Sequence, residues 1–600
     1  MGDFFQPLKA TPEMTLADLL LRRIECDPDG AAYRQYSSQS GWSCFNWRDV
    51  GAQVSRWRQA LLASGLQPGD RVAVMLHNCL DWVLFDQAAL GLGLVVVPIY
   101  MGDRPENIAY VINDSASRLL LLDSLQEWQA VEATGHLQVD SLTIVVRNDV
   151  ETADRPHKVV ALRQWLEQGG VNVHPAVGTD AWPAVIPEQL ATIVYTSGTT
   201  GRPKGVMLTH ANILSNLVAA VELVQLRTSD TLLSFLPLSH MLERTAGYYM
   251  PIFTGAEVAF ARSIDLLTED FQQIQPTVVI SVPRIFERVE QAVQSRIAGR
   301  ARVVGRLFDL TVKVGWQQFE YQQKRGQKPA LAFLLPLLLR LFAKPVLAAL
   351  GGRLRFAVCG GAPLPPQVSR TFIALGLPLL QGYGLTETSP AISLAALNDN
   401  RPDSVGSLLP GVEVKIAADD EIICRGANVM AGYWRNQEAT DAVLDSEGWF
   451  HTGDCGRLDG KHLYITGRLK EIIVLANGEK VPPADMEHAI CRDPLIEQCM
   501  VLGEGRPFLG AIVVTSREEL ARLTSSAEKE FSAEELREQL LSRIALAIDE
   551  FPGYAKIYRI TVTDDPWTVD NGLLTPTLKL KRPAVESRFE AEIERLYAGH

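Results

Sequence analysis

Tyr195-Thr196-Ser197-Gly198-Thr199-Thr200-Gly201-Arg202-Pro203-Lys204-Gly205-Val206 follows an apolar, strand-like stretch, Ala191-Thr192-Ile193-Val194. Glycines let backbone N–H groups turn toward an anion, hydroxyls add donors, and Lys204 supplies a point charge. A loop of this composition at a strand end is built to hold polyphosphate, with Ser197, Gly198, Thr199 and Thr200 as its cradle and Thr196 and Lys204 at its rims. It is not a Walker A loop, because Gly198 is followed five residues later by Pro203 rather than by the Gly of a GK[ST] ending.

Outward from this loop, helix-like and strand-like segments alternate. Residues 47–64 carry Val50, Val54, Trp57, Leu61 and Leu62 near helical spacing, and short apolar runs at 71–76, 94–100, 277–280 and 354–358 read as strands. That alternation predicts an α/β fold with layered sheets. No fixed-period repeat occurs, which disfavours a solenoid or propeller. Near residue 466 the character changes to charged helical stretches, such as 532–550, and a separate set of strands. The expected organisation is a large N-terminal domain of several subdomains, 1–469, and a small mobile α+β C-terminal domain, 470–600.

With 600 residues and 47% apolar content the chain can bury several cores. A net charge of −13 argues against a general nucleic-acid binder, so a polyanionic ligand must be held locally. The eight cysteines show no CxxC spacing and no histidine cluster, and read as reduced packing residues of a cytoplasmic protein. The start, Met1-Gly2-Asp3-Phe4-Phe5-Gln6, lacks the layout of a signal peptide, and Gln6 stands where a myristoylation signal prefers Ser or Thr. The apolar stretch 330–350 is interrupted by Pro336, Arg340, Lys344 and Pro345, so it is not expected to span a membrane. Two readings stand for it, a peripheral membrane contact or a buried helix pair.

The glycine-rich string closely resembles the phosphate-binding signature of the AMP-forming acyl-CoA synthetase, luciferase and adenylation-domain superfamily. Further strings extend that resemblance over nearly the whole chain. Gly360-Gly361-Ala362-Pro363-Leu364 and Tyr383-Gly384-Leu385-Thr386-Glu387-Thr388 look like its nucleotide-binding motifs. On that reading Gly361 and Ala362 line the nucleotide, Tyr383 offers a face to adenine, Thr386 a hydroxyl to the α-phosphate, and Glu387 an oxygen ligand to Mg²⁺. Trp449-Phe450-His451-Thr452-Gly453-Asp454 and Tyr464-Ile465-Thr466-Gly467-Arg468-Leu469-Lys470 resemble the ribose-binding and linking segments. This implies that Asp454 accepts from ribose hydroxyls, Arg468 pairs with ribose or phosphate oxygens, and Lys470 is the hinge.

Near the C-terminus, 571–582 resembles the segment bearing the superfamily's catalytic lysine, and the register implies Lys579, with Lys581 as its rival. Leu236-Pro237-Leu238-Ser239-His240 resembles the motif beside the carboxylate substrate, implying that His240 orients it or gates its tunnel. The segment 477–483 resembles the loop that enters the site in the thioester-forming state. The resemblance implies ATP, Mg²⁺ and CoA as cofactor and co-substrates, and a two-step activation of a carboxylic acid. Gly384 stands where acetate-specific relatives carry a bulky residue, and this, with 236–244 and the apolar insertion before Gly360, points to the long-chain fatty-acid branch. Two alternatives remain open: an acyl-AMP ligase serving a carrier protein, and a non-catalytic fatty-acid-binding partner at a membrane. The oligomeric state is not legible.

Overall fold

Short runs such as Leu119–Leu122, Val278–Ser281 and Phe356–Cys359 are buried at every residue, as expected of parallel strands covered on both faces. The computed structural model describes residues 7–139, 141–148, 157–169, 184–196, 202–469, 471–477, 479–527, 531–549, 551, 553, 555–575 and 579–598. The expected Ser197, Gly198, Thr199, Thr200 and Lys470 lie outside the described residues.

Two large sheets carry the first three quarters of the chain. One is eight-stranded, with Lys158–Ala161, Thr143–Val146, Leu119–Leu122, Arg71–Met75, Val95–Pro98 and Leu190–Thr196 parallel. Lys204–Thr209 and Gly432–Tyr433 then join antiparallel. The other is thirteen-stranded; its parallel run is Ala31–Ser37, Glu257–Phe260, Thr231–Ser234, Val278–Ser281, Phe356–Cys359 and Leu379–Tyr383. It continues antiparallel through Ser393–Leu394 to the ribbon Phe450–Asp459 and His462–Arg468. One apolar cluster joins residues of both sheets, Val72 and Val96 with Leu232, Val278 and Phe356, so the sheets share a core with the helices Leu80–Leu90 and His210–Val224.

The C-terminal part has its own core. Ile496–Leu502, Leu509–Thr515 and Ile557–Thr563 form a three-stranded sheet on which Pro483–Ile490 and Ala533–Ala547 pack through Met486, Ile490, Leu540 and Ile544. Ser532 caps Ala533–Ala547 by accepting from the Glu535 amide, so that sequence-predicted helix is observed almost as read. These elements form an α+β unit beside the mainly parallel first part. Arg104 links the two by donating to the carbonyls of Val569 and Asp570, at 3.2 and 3.0 Å.

One expectation is corrected. Pro345 does not interrupt the apolar stretch: Leu335–Ala349 is a single helix with Pro336 in its first turn and Pro345 inside it. Pro336 is tolerated where no helical hydrogen bond would form, whereas Pro345 removes one bond from a helix otherwise fixed by packing. Nor is the segment a buried pair, since only 17% of the window Ala332–Ala349 is buried.

Candidate active site

In parallel sheets, ligands bind beyond the carboxyl ends of the strands. Four neighbouring strands here end in residues singled out from sequence or flanking them. Thr231–Ser234 leads to His240, Val278–Ser281 to Val282, Phe356–Cys359 to Gly361 and Ala362, and Leu379–Tyr383 ends on Tyr383 itself. The opposite wall is the hairpin of Leu190–Thr196 and Lys204–Thr209, in which Thr196 and Lys204 are direct cross-strand partners. The two described rims of the glycine-rich string, Thr196 and Lys204, line a cleft of about 3370 Å³. Thr196, Lys204, His240, Gly361, Ala362, Tyr383, Gly384, Thr386, Glu387, Asp454, Arg468 and Lys579 all line that cleft.

Glu387 sits in the turn Thr386–Thr388, locked from behind. Asn216 and Asn428 each donate to the carbonyls of Thr388 and Ala391, and the Met430 amide donates to the Glu387 carbonyl at 2.8 Å. In front, the Tyr433 hydroxyl donates to Glu387 Oε1 at 2.9 Å while Lys204 Nζ lies 5.0 Å from the Tyr433 ring centroid. Loss of water raises the Glu387 pKa, opposed by the Tyr433 hydrogen bond and by Arg468 and Lys204.

Asp454 and Arg468 face each other across the ribbon Phe450–Asp459 and His462–Arg468. Arg468 Nε meets Asp454 Oδ1 at 3.0 Å, and the Tyr383 hydroxyl donates to Oδ2 at 2.8 Å. Burial still pushes the Asp454 carboxyl up, against Arg468, Tyr383 and Lys579. The Tyr383 ring is thereby fixed by its own hydroxyl beside the strand end.

Lys579 is carried by the C-terminal part, held to Thr575 through the backbone. Its amide donates to Thr575 Oγ1 at 3.0 Å, the Thr575 amide donates to its carbonyl at 2.8 Å, and Leu574 bridges Leu580. Surrounding protein lowers its pKa and Arg468 lowers it further, while Asp454, Glu471 and Glu387 oppose them. Lys579 thus enters the field of the carboxylates from the other part of the molecule. Lys581 also lines the cleft, and its amide donates to the Leu573 carbonyl at 2.9 Å.

His240 caps the short helix Met241–Glu243, accepting on Nδ1 from the Leu242 amide at 3.2 Å. Burial, and then Lys579, lower its pKa to about 4, so the imidazole is neutral near pH 7. Gly384, read in the sequence as leaving the acyl pocket open, also has a backbone reason. A Cβ there would stand 1.9 Å from the Pro390 carbonyl oxygen and 2.8 Å from Ala391 Cα, so glycine is imposed by a close backbone approach.

An apolar limb continues from the cleft into the core. Val282, Ile280 and Val278 alternate along one strand and Gly360, Val358 and Phe356 along its neighbour, all lining the cavity. Leu232 and Met250, both buried, line the limb as well.

A model of the AMP-binding enzyme family matches residues 20–434, and one of the AMP-binding enzyme C-terminal domain matches residues 470–600. The chain belongs to the AMP-binding enzyme family. Within that family it is 32% identical to the long-chain-fatty-acid–CoA ligase FadD15 of Mycobacterium bovis, over 97% of both chains. It is 31% identical to long-chain-fatty-acid–CoA ligase 1 of Homo sapiens, over 97% of this chain and 86% of that one. It is also 29% identical to the chloroplastic long-chain-fatty-acid–[acyl-carrier-protein] ligase AEE15 of Arabidopsis thaliana, over 92% and 82%. In fold it resembles the A domain of the carboxylic acid reductase from Segniliparus rugosus, solved with AMP and a co-purified carboxylic acid, at a TM-score of 0.75, 20% identity and 98% and 94% coverage.

Sequence reading passed over Tyr433, which joins Lys204 to Glu387, and Arg104. Tyr433 lies in Ala431-Gly432-Tyr433-Trp434, an aromatic pair after a glycine that offers no chemistry until the short strand Gly432–Tyr433 pairs with Met207 and Val206. The indole of Trp434 then donates to the Asp114 carbonyl at 2.9 Å, and Asp114 accepts from Tyr195, the first residue of the hairpin motif. Arg104 carries no local signal at all.

Proposed function

We propose that this enzyme uses ATP to convert a long-chain fatty acid to its acyl-adenylate and then to acyl-CoA, releasing pyrophosphate and AMP. The observation that carries the reading is the junction at Gly360 and Val282, where a cleft wall of anion-binding groups meets the apolar residues Ile280, Val278, Val358 and Phe356. Lys204 and Thr196 hold the polyphosphate at the hairpin rims, the Tyr383 ring receives adenine beside Gly361 and Ala362, and Thr386 donates to the α-phosphate. Asp454, held by Arg468 and Tyr383, takes the ribose.

Neutral His240 stands where the limb meets the cleft and orients the carboxylate without adding charge. The carboxylate oxygen attacks the α-phosphorus and the bond to pyrophosphate breaks. The reaction needs no protein nucleophile, so catalysis is alignment and electrostatic stabilisation, with Lys579 placed to neutralise charge growing on the α-phosphate and carboxylate oxygens. Glu387 fits the Mg²⁺ site: a carboxylate losing water at the cleft is a hard oxygen donor that would hold a dication there. That ion would neutralise the leaving pyrophosphate.

In the second step 470–600 turns about Lys470 relative to 1–469, withdrawing Lys579 and bringing 477–483 to the adenylate. The CoA thiol then attacks the acyl carbonyl and AMP leaves. A carrier-protein thiol is the alternative acceptor, supported by the Arabidopsis relative of that name. The protein acts in the cytoplasm, with a peripheral contact on the membrane that holds its substrate.

The test is pyrophosphate and AMP release with Mg²⁺-ATP across acids from acetate to stearate, with and without CoA. Sustained CoA-dependent turnover peaking with long chains is expected. A stoichiometric burst indifferent to CoA would transfer the reading to the carrier-protein acceptor, and no release with any acid would overturn it.

A further inference from the structure

The helix Leu335–Ala349, entered through the turn Ala332–Leu334, packs on the long helix Arg302–Gln322 as the second arm of a hairpin. Phe308 and Phe342 meet at 5.7 Å and, with Ala343 and Leu375, form a small core. Only one face is committed to it. Leu335, Leu338 and Ala343 are buried, whereas Phe333 is 74% exposed, Leu337 60% and Leu341 56%, and on the other arm Val303 is 63% exposed. The window Ala332–Ala349 has mean hydropathy 1.8. Large apolar side chains clustered on a surface mark a binding face.

The charge around this face is as uneven as its hydrophobicity. Residues 300–344 contain nine Lys or Arg against Asp309 and Glu320, a net of +7 in a chain of net −13. Arg325 pairs with Glu320, but Arg300, Arg306, Arg340 and Lys344 are exposed and make no ion pair among the described residues.

The geometry points to this hairpin as a docking surface for an anionic phospholipid bilayer, with Phe333, Leu337, Leu341 and Val303 entering the acyl boundary and Arg300, Arg306, Arg340 and Lys344 meeting headgroup phosphates. A second copy of the chain is a poor occupant, because +7 would face +7. Spanning is disfavoured as well: eighteen helical residues rise about 27 Å against a hydrocarbon core of about 30 Å, with Arg340 and Lys344 inside the window. An in-plane helix pair combines burial of apolar residues with attraction to anionic lipid, the two signals that surface binding requires. The surface is read from its own residues, while its use for drawing fatty acid from the bilayer rests on the acyl-activation proposal.

The experiment is flotation of the full chain with vesicles of phosphatidylcholine alone or mixed equally with phosphatidylglycerol, at low and high salt, beside CoA-dependent turnover of a water-soluble medium-chain acid. Wild type is expected to float only with the anionic vesicles and to be released by salt. Arg340→Glu with Lys344→Glu, and separately Leu337→Asp with Leu341→Asp, are each expected to lower vesicle partition by about tenfold or more while leaving turnover of the soluble acid unchanged. Equal flotation of variants and wild type, flotation with neutral vesicles alone, or no flotation with concentration-dependent self-association would overturn the docking surface. Flotation without turnover of this or any longer acid would leave the surface standing and remove the acyl-activation reading instead.

Discussion

Filling the apolar limb half-way should shorten the preferred acid by a calculable amount. From Val282 to Val278, and from Gly360 to Phe356, the lined path runs four strand residues, about 13 Å at about 3.3 Å per residue. An extended chain advances about 3.5 Å for every three bonds, so this depth takes about eleven methylenes. Ile280 stands half-way, and Ile280→Trp closes roughly the last 7 Å, about five methylenes. At about 0.8 kcal/mol each, the lost burial is about 4 kcal/mol as an upper estimate, up to about a thousandfold in kcat/KM for a long acid. Overpacking adds about 1–3 kcal/mol of strain that falls on every substrate equally. Val278→Phe, deeper by one step, should cut only the longest chains. The assay is kcat/KM for saturated acids of increasing length with wild type and both variants. A graded shift of the optimum, larger for Ile280→Trp, is expected; a uniform loss at all lengths, or a long-chain preference kept in both variants, would refute this limb as the acyl site.

Lys579→Ala should abolish acyl-adenylate formation yet spare thioester formation from supplied acyl-AMP, as read by pyrophosphate release and acyl-CoA formation; equal loss of both, or a larger effect from Lys581→Ala, would reassign the role. Because burial and Arg468 hold Lys579 below its ordinary value and loss of water holds Glu387 above its own, the adenylation pH profile should narrow from both sides, its alkaline limb falling below the ordinary lysine range. Lys579→Arg should then move that limb upward, and an unmoved limb would detach it from this residue. Arg104→Ala removes two hydrogen bonds to the Val569 and Asp570 carbonyls and should slow adenylation by about five- to 150-fold at about 0.5–1.5 kcal/mol each, with thioester formation from supplied acyl-AMP unchanged. Glu243 is buried beside Ser234, which donates to it at 2.6 Å, and its carboxyl is pushed up to about 8 by loss of water. A raised carboxyl contributes stability below its unfolded value near 4.3 and loses it as pH rises through about 8. Glu243→Gln should therefore raise Tm more at pH 9 than at pH 6; a pH-independent difference would contradict this.

The sequence by itself determined the α/β class and the family to which its strings belong. Those readings succeed because they are local: a strand that feeds a hydroxyl-glycine string, or a Ser532 that caps its own helix, is written within a few residues. Tertiary structure decided what depends on distant partners. It made Thr196 and Lys204 cross-strand neighbours, placed Tyr433 between Lys204 and Glu387, and brought Lys579 within the field of His240 and Asp454. It also gave Gly384 a backbone reason, and left the apolar face of Leu335–Ala349 open where sequence left two readings. Side-chain chemistry is a property of the residue and can be read in order. The distance, burial and field that turn it into a site come from chain segments hundreds of residues apart, and only folding sets them.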